Sequence, residues 1–448
     1  MKVAKFGGSS LSCATQIRKV ATIIQNNPNI KAVVVSAPGK RHDDDTKVTD
    51  LLIALYEAKQ RQSGVDFALH AILERYQSIV SDLALSADLM DTFEHTLTHY
   101  LRHITEPARL LDALKACGED FNAQLVSAYL TQIGLNARYV SPLEAGIRVS
   151  DTPSNARLLD SSYDTIAQLK EAQELLIIPG FFGYSLAGDI VTFSRGGSDI
   201  SGAIIARGLD VDLYENYTDQ TFIYAAHPGK IKHPYAVKEI TYQEMRELAY
   251  AGFGIFHDEA LAPVYEKNIP VMIRNTNDPE VEGTKIVSKR ELNPEMPVVG
   301  ISSDAGFTSI TLRKYLLNRE QGFIRRLLQL LETHDIAIEQ LPSGIDHLSV
   351  IMRSNQFDDA KLQRVLADIQ AELQPESIEV EHDLSTIVIV GEGMRNAIGI
   401  ASKATTALAQ NNVNIHMISQ GASEVSMIFV IPKADEQKAL ESLYATYF

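Results

Sequence analysis

Lys5-Phe6-Gly7-Gly8-Ser9-Ser10 and Ser194-Arg195-Gly196-Gly197-Ser198-Asp199 are glycine-rich loops about 190 residues apart, each carrying a cation. Strand-like alternation precedes each: Val3 and Lys5 before the first, Ile190, Thr192 and Ser194 before the second. Helical apolar spacing follows, over 14–25 and 200–207. A helix start offers free N–H groups and a positive dipole end, and glycines let an anion approach the backbone. Two loops of matching build therefore predict one anion-binding cleft made from two distant strand ends. The anion is a phosphate, a pyrophosphate or a carboxylate. The absence of a G-x-x-x-x-G-K-[ST] loop, and of a G-x-G-x-x-G opening the first βα unit, disfavours a P-loop NTPase and a dinucleotide dehydrogenase.

Lys5 lies on the strand itself. An ammonium about 4 Å from phosphate oxygens, at an effective dielectric near 20, is worth roughly 4 kcal/mol. Applied to charge that develops in a transition state, this supplies about a thousandfold in rate, and phosphoryl transfer asks little else of a protein. The plainer reading is a strand-end lysine that snorkels to water. Arg195 suits a bidentate hold on a carboxylate, and Asp199 can orient Lys5 or a metal; a local salt bridge across the turn is the alternative. Glu119, after Gly118, reads as a helix start. It either supplies favourable N-terminal charge or takes a substrate ammonium.

These residues need a scaffold, and 448 residues exceed one ordinary core. Short β-branched runs at 32–36, 137–140, 175–179, 190–194, 212–215 and 271–274 read as parallel strands covered on both faces. Helical patterns at 48–59, 64–85, 119–133, 163–173 and 242–251 lie between them. The alternation predicts a doubly wound α/β domain with ligands at the carboxyl ends of its strands. With 41 basic against 57 acidic residues, the net charge of -16 argues against nucleic-acid binding. Cys13 and Cys117 are too few for a disulfide framework or zinc cage, and read as buried, reduced thiols. The start of the chain has no export-like apolar segment, and no run is long enough to span a membrane, so a cytoplasmic protein is expected. Lys40-Arg41-His42-Asp43-Asp44-Asp45 reads as a solvated, mobile loop rather than a metal site.

Past Asn293-Pro294-Glu295-Met296-Pro297 the pattern changes to a repeat. Gly322, Leu331, Ile336, Ile338, Gly344, Leu348 and Ser349 recur as Gly399, Leu408, Val413, Ile415, Gly421, Val425 and Ser426, at a constant offset of 77 (399 against 322). Each copy reads strand, helix, strand, strand, helix. A strand at 377–381 closes the first; the second lacks one, and a strand at 298–302 is expected to fill the gap.

The chain resembles the aspartokinases of the amino-acid-kinase superfamily along its whole length. The resemblance rests on KFGGSS at 5–10, VVSAPGK at 34–40, KVTDLL at 47–52, GED at 118–120, PGFFG at 179–183, SRGGSD at 194–199 and YTD at 217–219. MISQGASEVS at 417–426 is similar to the paired ACT modules of that family. The resemblance implies a three-layer αβα amino-acid-kinase fold with a mainly parallel sheet over 1–292. Two ferredoxin-like βαββαβ ACT modules are then expected, one over 306–382, the other from 297–305 plus 383–448. The implied reaction transfers the ATP γ-phosphate, with Mg2+, to the side-chain carboxylate of L-aspartate. This is the first step of lysine, threonine and methionine biosynthesis.

By position, Lys5 stabilises the transferring group and Asp199 organises the site, with no metal cage of protein ligands. Gly7, Gly8, Ser9, Gly196 and Gly197 cradle phosphates; Tyr217, Thr218, Asp219 and Tyr224 line the nucleotide pocket. Arg195 and Ser198 hold the substrate α-carboxylate end, Glu119 its amino group, and Ser36 and Thr49 sit near the acceptor. The chain departs from the family's V-x-G-I-Y-T-T-D-P-R run, with Phe222 for a glycine, His227 for an aspartate and Gly229 for a phosphate-facing arginine, whose charge Lys230 is expected to replace. A lysine common in the family gives way to Gly254 ahead of His257.

The repeats resemble amino-acid-sensing modules. An end-product amino acid, lysine or threonine, is expected near Asn318, Gly322, Phe323 and Ile324, with Ser343, Ser419 and Gln420 contributing from neighbouring strands. A homodimer or larger homo-oligomer through these modules is expected; nucleic acid and membrane are not. The rival readings are a superfamily kinase with another acceptor and an inactive amino-acid-binding regulator on the same scaffold.

Overall fold

The computed structural model describes residues 1–194, 196–253 and 258–448, in two compact units. The first comprises Met1–Ile223, Ala236–Met245 and Ile255–Arg290; the second comprises Tyr224–Tyr235, Arg246–Gly254 and Glu291–Phe448. The second thus takes in two segments that an unbroken 1–292 domain leaves with the first.

An 8-stranded sheet organises the first unit. Its order is Glu239–Thr241, Lys285–Val287, Val271–Asn275, Leu213–Thr218, Lys2–Phe6, Ile30–Val35, Leu175–Pro179, Ala137–Tyr139. All its pairings are parallel except that of Val271–Asn275 with Lys285–Val287. Ala32, Val33, Val34 and Val35 are wholly inaccessible, as a central strand covered on both faces requires. The expected strand at 190–194 is different: Ile190–Thr192 pairs antiparallel with Phe182–Tyr184 in a separate hairpin. Its apolar run is short and lacks a parallel partner, which periodicity alone does not reveal.

Helices Ala14–Gln25, Val48–Gln60, Val65–Asp82, Asp88–His103 and Pro107–Gln132 share one core with this sheet. Tyr76, Phe93 and Phe121 meet inside it, Phe93 stacked on Phe121 at 4.2 Å and Tyr76 edge-on to both. Glu119 is not a helix start. It lies in the middle of the 26-residue helix Pro107–Gln132, which runs on from Pro107 at its first turn. Gly118 lets this helix press on the turn after Ile30–Val35: a Cβ there would stand 2.8 Å from Ala37 Cβ. That contact brings Glu119 to the strand end.

In the second unit a 5-stranded antiparallel sheet runs His347–Arg353, Gly300–Arg313, Ser377–Val390, Ser426–Pro432, Met417–Gln420. The two 14-residue strands each serve both halves. Gly300 to Ala305 pairs with Val390 to Ser385, and the register shifts near Phe307 before pairing continues to Arg313. One helix-on-sheet core holds Ile310, Phe323, Leu327, Val350 and Ile369, and another holds Val298, Ile301, Ile389, Leu408 and Leu440. The second strand of the first repeat is reduced to isolated bridges, Gln340 to Ile351 and Ser343 to Leu348. Cys117 is buried, Cys13 only partly, and both are free. No described helix is long and apolar enough to cross a membrane.

Candidate active site

The two glycine loops meet. Lys5 sits near the end of Lys2–Phe6, nine-tenths buried, and its Nζ lies 2.7 Å from Oδ1 of Asp199. Asn216 Nδ2 donates to the same oxygen at 2.6 Å, so Asp199 is held from the adjacent strand. Ser198, one residue earlier, points its hydroxyl at Glu119 Oε1, 3.5 Å away. Both residues belong to the first turn of helix Gly197–Gly208, where a carboxylate is favoured by the dipole. Consecutive residues of the second loop therefore fasten to the first loop's lysine and to the mid-helix glutamate.

Glu119 is buried, and burial pushes its carboxyl up to about 8, against the opposing Ala37 backbone N–H and Ser198 hydroxyl. Its Oε2 is buried with no hydrogen-bond partner among the described residues. A buried acceptor left open in this way costs about 1–3 kcal/mol, which a bound donor would recover. An ammonium meets that need and restores the charged form.

Gly8, Ser9, Ser36, Thr49, Glu119 and Asp219 line one cavity of about 580 Å³. Gly39 N donates to Gly8 O at 2.8 Å, and a Cβ on Gly39 would fall 2.6 Å from Gly8 C. Only glycine fits there, which keeps the 36–39 turn against the first loop. The same cavity takes Lys40, Arg41, His42 and Lys47 into its lining.

Lys40 to Asp44 are exposed, in keeping with the expected solvated loop over 40–45, but its last residue is tied down. Asp45 is largely buried, paired with Arg75 Nη1 at 2.7 Å and Arg41 Nη2 at 2.8 Å. Burial works to raise its carboxyl, but the hydrogen bonds and charge of Arg41 outweigh it and hold it below its ordinary range. The buried Arg75 also donates to Gly39 O at 2.6 Å and Ser12 O at 3.0 Å. Asp45, Arg75 and the lining cations were missed by the sequence reading. The only signal was a run of charge directly after a glycine turn.

Other expected residues separate. Tyr217 does not turn its ring toward Lys5: it stacks on Phe6 at 4.6 Å, on the face packed against Ala14–Gln25. The parallel register sets Tyr217 beside Phe6, so strand parity turns both rings to that face. Only its carbonyl serves the loop, accepting from Gly7 N at 3.0 Å. Lys230 cannot replace a phosphate-facing arginine as it stands. Its ammonium is committed to Ser303 O and Oγ, each at 2.9 Å, and to Glu436 at 2.6 Å, all in the second unit. Thr218 is half-buried, its hydroxyl 3.1 Å from Asp219 Oδ1, and Tyr224 falls in the second unit. Gly196 and Gly197 begin the helix that bears Asp199. Arg195, Gly254 and His257 lie outside the described residues.

In the second unit, Asn318, Gly322, Ile324 and Ser343 are exposed, and Asn318 N donates to Ile345 O at 3.1 Å. Phe323 is buried in the core and presents no side chain to a ligand. Ser419 and Gln420 lie on Met417–Gln420, the edge strand opposite His347–Arg353, so one chain does not bring them to that turn.

A sequence profile described as the amino acid kinase family matches residues 1–275, and an ACT domain profile matches residues 387–447. Aspartokinase 3 of Bacillus subtilis is 48% identical over 449 residues, spanning 100% of this chain and 99% of that protein. The crystal structure of Clostridium acetobutylicum aspartate kinase superposes with a TM-score of 0.89 at 35% identity, covering 100% of both chains. E. coli aspartokinase III, solved in complex with lysine and aspartate, gives 0.76 at 25% identity over 100% of this chain and 99% of that one.

Proposed function

The chain belongs to the aspartokinases of the amino acid kinase family, and we propose that it transfers the γ-phosphoryl group of ATP to the side-chain carboxylate of L-aspartate. The observation that carries this reading is the 2.7 Å pair of Lys5 with Asp199, which joins the two glycine loops beside the open carboxylate oxygen of Glu119.

The carboxylate of aspartate is ionised at neutral pH, so it attacks phosphorus without a base. Its oxygen bonds to the γ-phosphorus as the bond to the β-bridging oxygen breaks, and ADP leaves with that electron pair. Backbone N–H groups at Gly8 and Ser9 receive phosphate oxygens, while that of Gly7 is already spent on Tyr217 O. Lys5, aimed by Asp199, neutralises charge on the moving group. Glu119 accepts the substrate ammonium, Arg195 and Ser198 its α-carboxylate, and Ser36 and Thr49 place the acceptor. Among the described residues no three His, Cys, Asp or Glu side chains converge as a metal cage. Asp199 would help hold Mg2+ brought in on the nucleotide, which would supply further charge neutralisation.

Supported by the ACT match and by the lysine found with the E. coli enzyme, we assign the second unit to feedback control by an end-product amino acid, with lysine to be tried before threonine. The exposed edge strand Met417–Gln420 supports pairing with a second copy, which would supply the groups that one chain keeps apart.

ATP-dependent formation of aspartyl hydroxamate tests the reading. Wild type should give product with aspartate and not with glutamate, and Lys5→Met should lose about a thousandfold in kcat. A Lys5→Met protein that is folded and unimpaired would remove the proposed role.

A further inference from the structure

A second cavity, of about 570 Å³, lies on the other face of the first unit's sheet, beside Ala14–Gln25. Side chains at Lys2, Ala4 and Phe6 alternate to that face, and the parallel register sets Glu215, Tyr217 and Arg274 there with them. Ala4, Phe6 and the Tyr217 ring pack this face against Ala14–Gln25, and the cavity opens where the apolar residues give way to charge. Glu215 is wholly buried, and its carboxylate accepts from Lys2 Nζ at 3.0 Å, Arg274 Nε at 3.2 Å, Asn27 Nδ2 at 3.2 Å and Tyr217 OH at 3.3 Å.

That carboxylate is saturated, while its cations are not. Arg274 has five N–H donors and Lys2 three, and each spends one on Glu215. Among the described residues neither has another protein partner. Lys19 joins them in the lining, held to Asn277 Oδ1 at 2.7 Å. Three cations thus stand against Glu215 and the exposed Glu280, leaving a positive balance around a space large enough for a small metabolite.

We propose that this cavity is a second ligand site, taking a small molecule through a phosphoryl or carboxylate group held by Arg274, Lys2 and Lys19. A guanidinium with its two terminal nitrogens open suits either oxyanion bidentately. The site is separate from the Lys5 cleft, because the strand carries Lys5 on the opposite face from Lys2. It is nevertheless linked to the first glycine loop: Thr276, in its wall, shares a 2.6 Å hydrogen bond with the Ser10 hydroxyl.

Calorimetry on the full chain tests this, with the Lys5 cleft filled by aspartate and a non-hydrolysable ATP analogue. The probes are inorganic pyrophosphate and succinate, which separate the phosphoryl source from the carboxylate. One of them should bind one-to-one with a dissociation constant below about 1 mM. Lys19→Glu reverses an exposed charge without touching Glu215, and should weaken that binding at least about tenfold at an unchanged melting temperature. Arg274→Gln should weaken it further. Failure of both probes to bind below about 10 mM, or undiminished binding to a folded Lys19→Glu protein, overturns the proposal.

Discussion

The ammonium-binding role proposed for Glu119 predicts that the affinity for aspartate depends on pH, with a definite sign. Its carboxyl is pushed up to about 8 by burial, and the charged form is the one that pairs with a substrate ammonium. At pH 7 about one molecule in ten carries that charge, so apparent affinity is about tenfold below the intrinsic value. Raising the pH to 9 ionises about nine in ten, and the KM for aspartate should fall about tenfold. Binding at pH 7 should release close to one proton, measurable by calorimetry in two buffers of different ionisation enthalpy. Glu119→Gln should abolish both signatures and raise KM about thirtyfold, the worth of a charge-assisted hydrogen bond of about 2 kcal/mol. Stability should move oppositely. Between pH 4.5 and about 8 the folded chain holds a proton that the unfolded chain releases, so wild type loses up to about 5 kcal/mol as pH rises through that window. The Gln variant should lack this slope in urea titrations. A wild-type KM that stays flat from pH 7 to 9, or an equal slope in the Gln variant, would refute the reasoning.

Gly39→Ala places a methyl 2.6 Å from Gly8 C, so the turn and the first loop must part; steady-state assay of the folded variant should show kcat reduced by about a hundredfold or more. Arg75→Met removes the buried one of two arginine partners of Asp45 and the donor to two carbonyls, and chemical denaturation should report a loss of about 3 kcal/mol. Lys230→Met should leave the KM for ATP within about twofold of wild type, because that ammonium is already committed to Ser303 and Glu436. A large rise in KM would return the lysine to the nucleotide site.

The glycine loops were legible because their chemistry is local: a strand end, side-chain-free residues and a nearby cation read the same in sequence and in space. The mainly parallel sheet was legible from runs such as Ala32 to Val35, whose composition suits burial on both faces. Glu119 was read as a helix start because Gly118 suggested a boundary, where the chain instead runs through mid-helix and presses on Ala37, leaving the carboxylate buried. Tyr217 was misplaced because a residue's face depends on register with a strand more than 200 residues away. Lys230 was misplaced because its partner, Glu436, lies 206 residues on. Asp45 hid in a run of aspartates, only one of which meets a buried arginine.

The arrangement of the site follows from one helical turn more than from any single side chain. Ser198 and Asp199 are neighbours in the first turn of Gly197–Gly208, and successive residues on a helix diverge by about 100°. They therefore reach different partners, Ser198 toward Glu119 and Asp199 toward Lys5. In the proposed reaction the first partner takes the substrate ammonium and the second meets phosphate charge. The spacing between these two subsites is consequently fixed by backbone geometry, with Asn216 locking the carboxylate from the neighbouring strand. A side chain hung from a loop would lose that spacing to its own rotamers, whereas a helix start holds it before either substrate arrives.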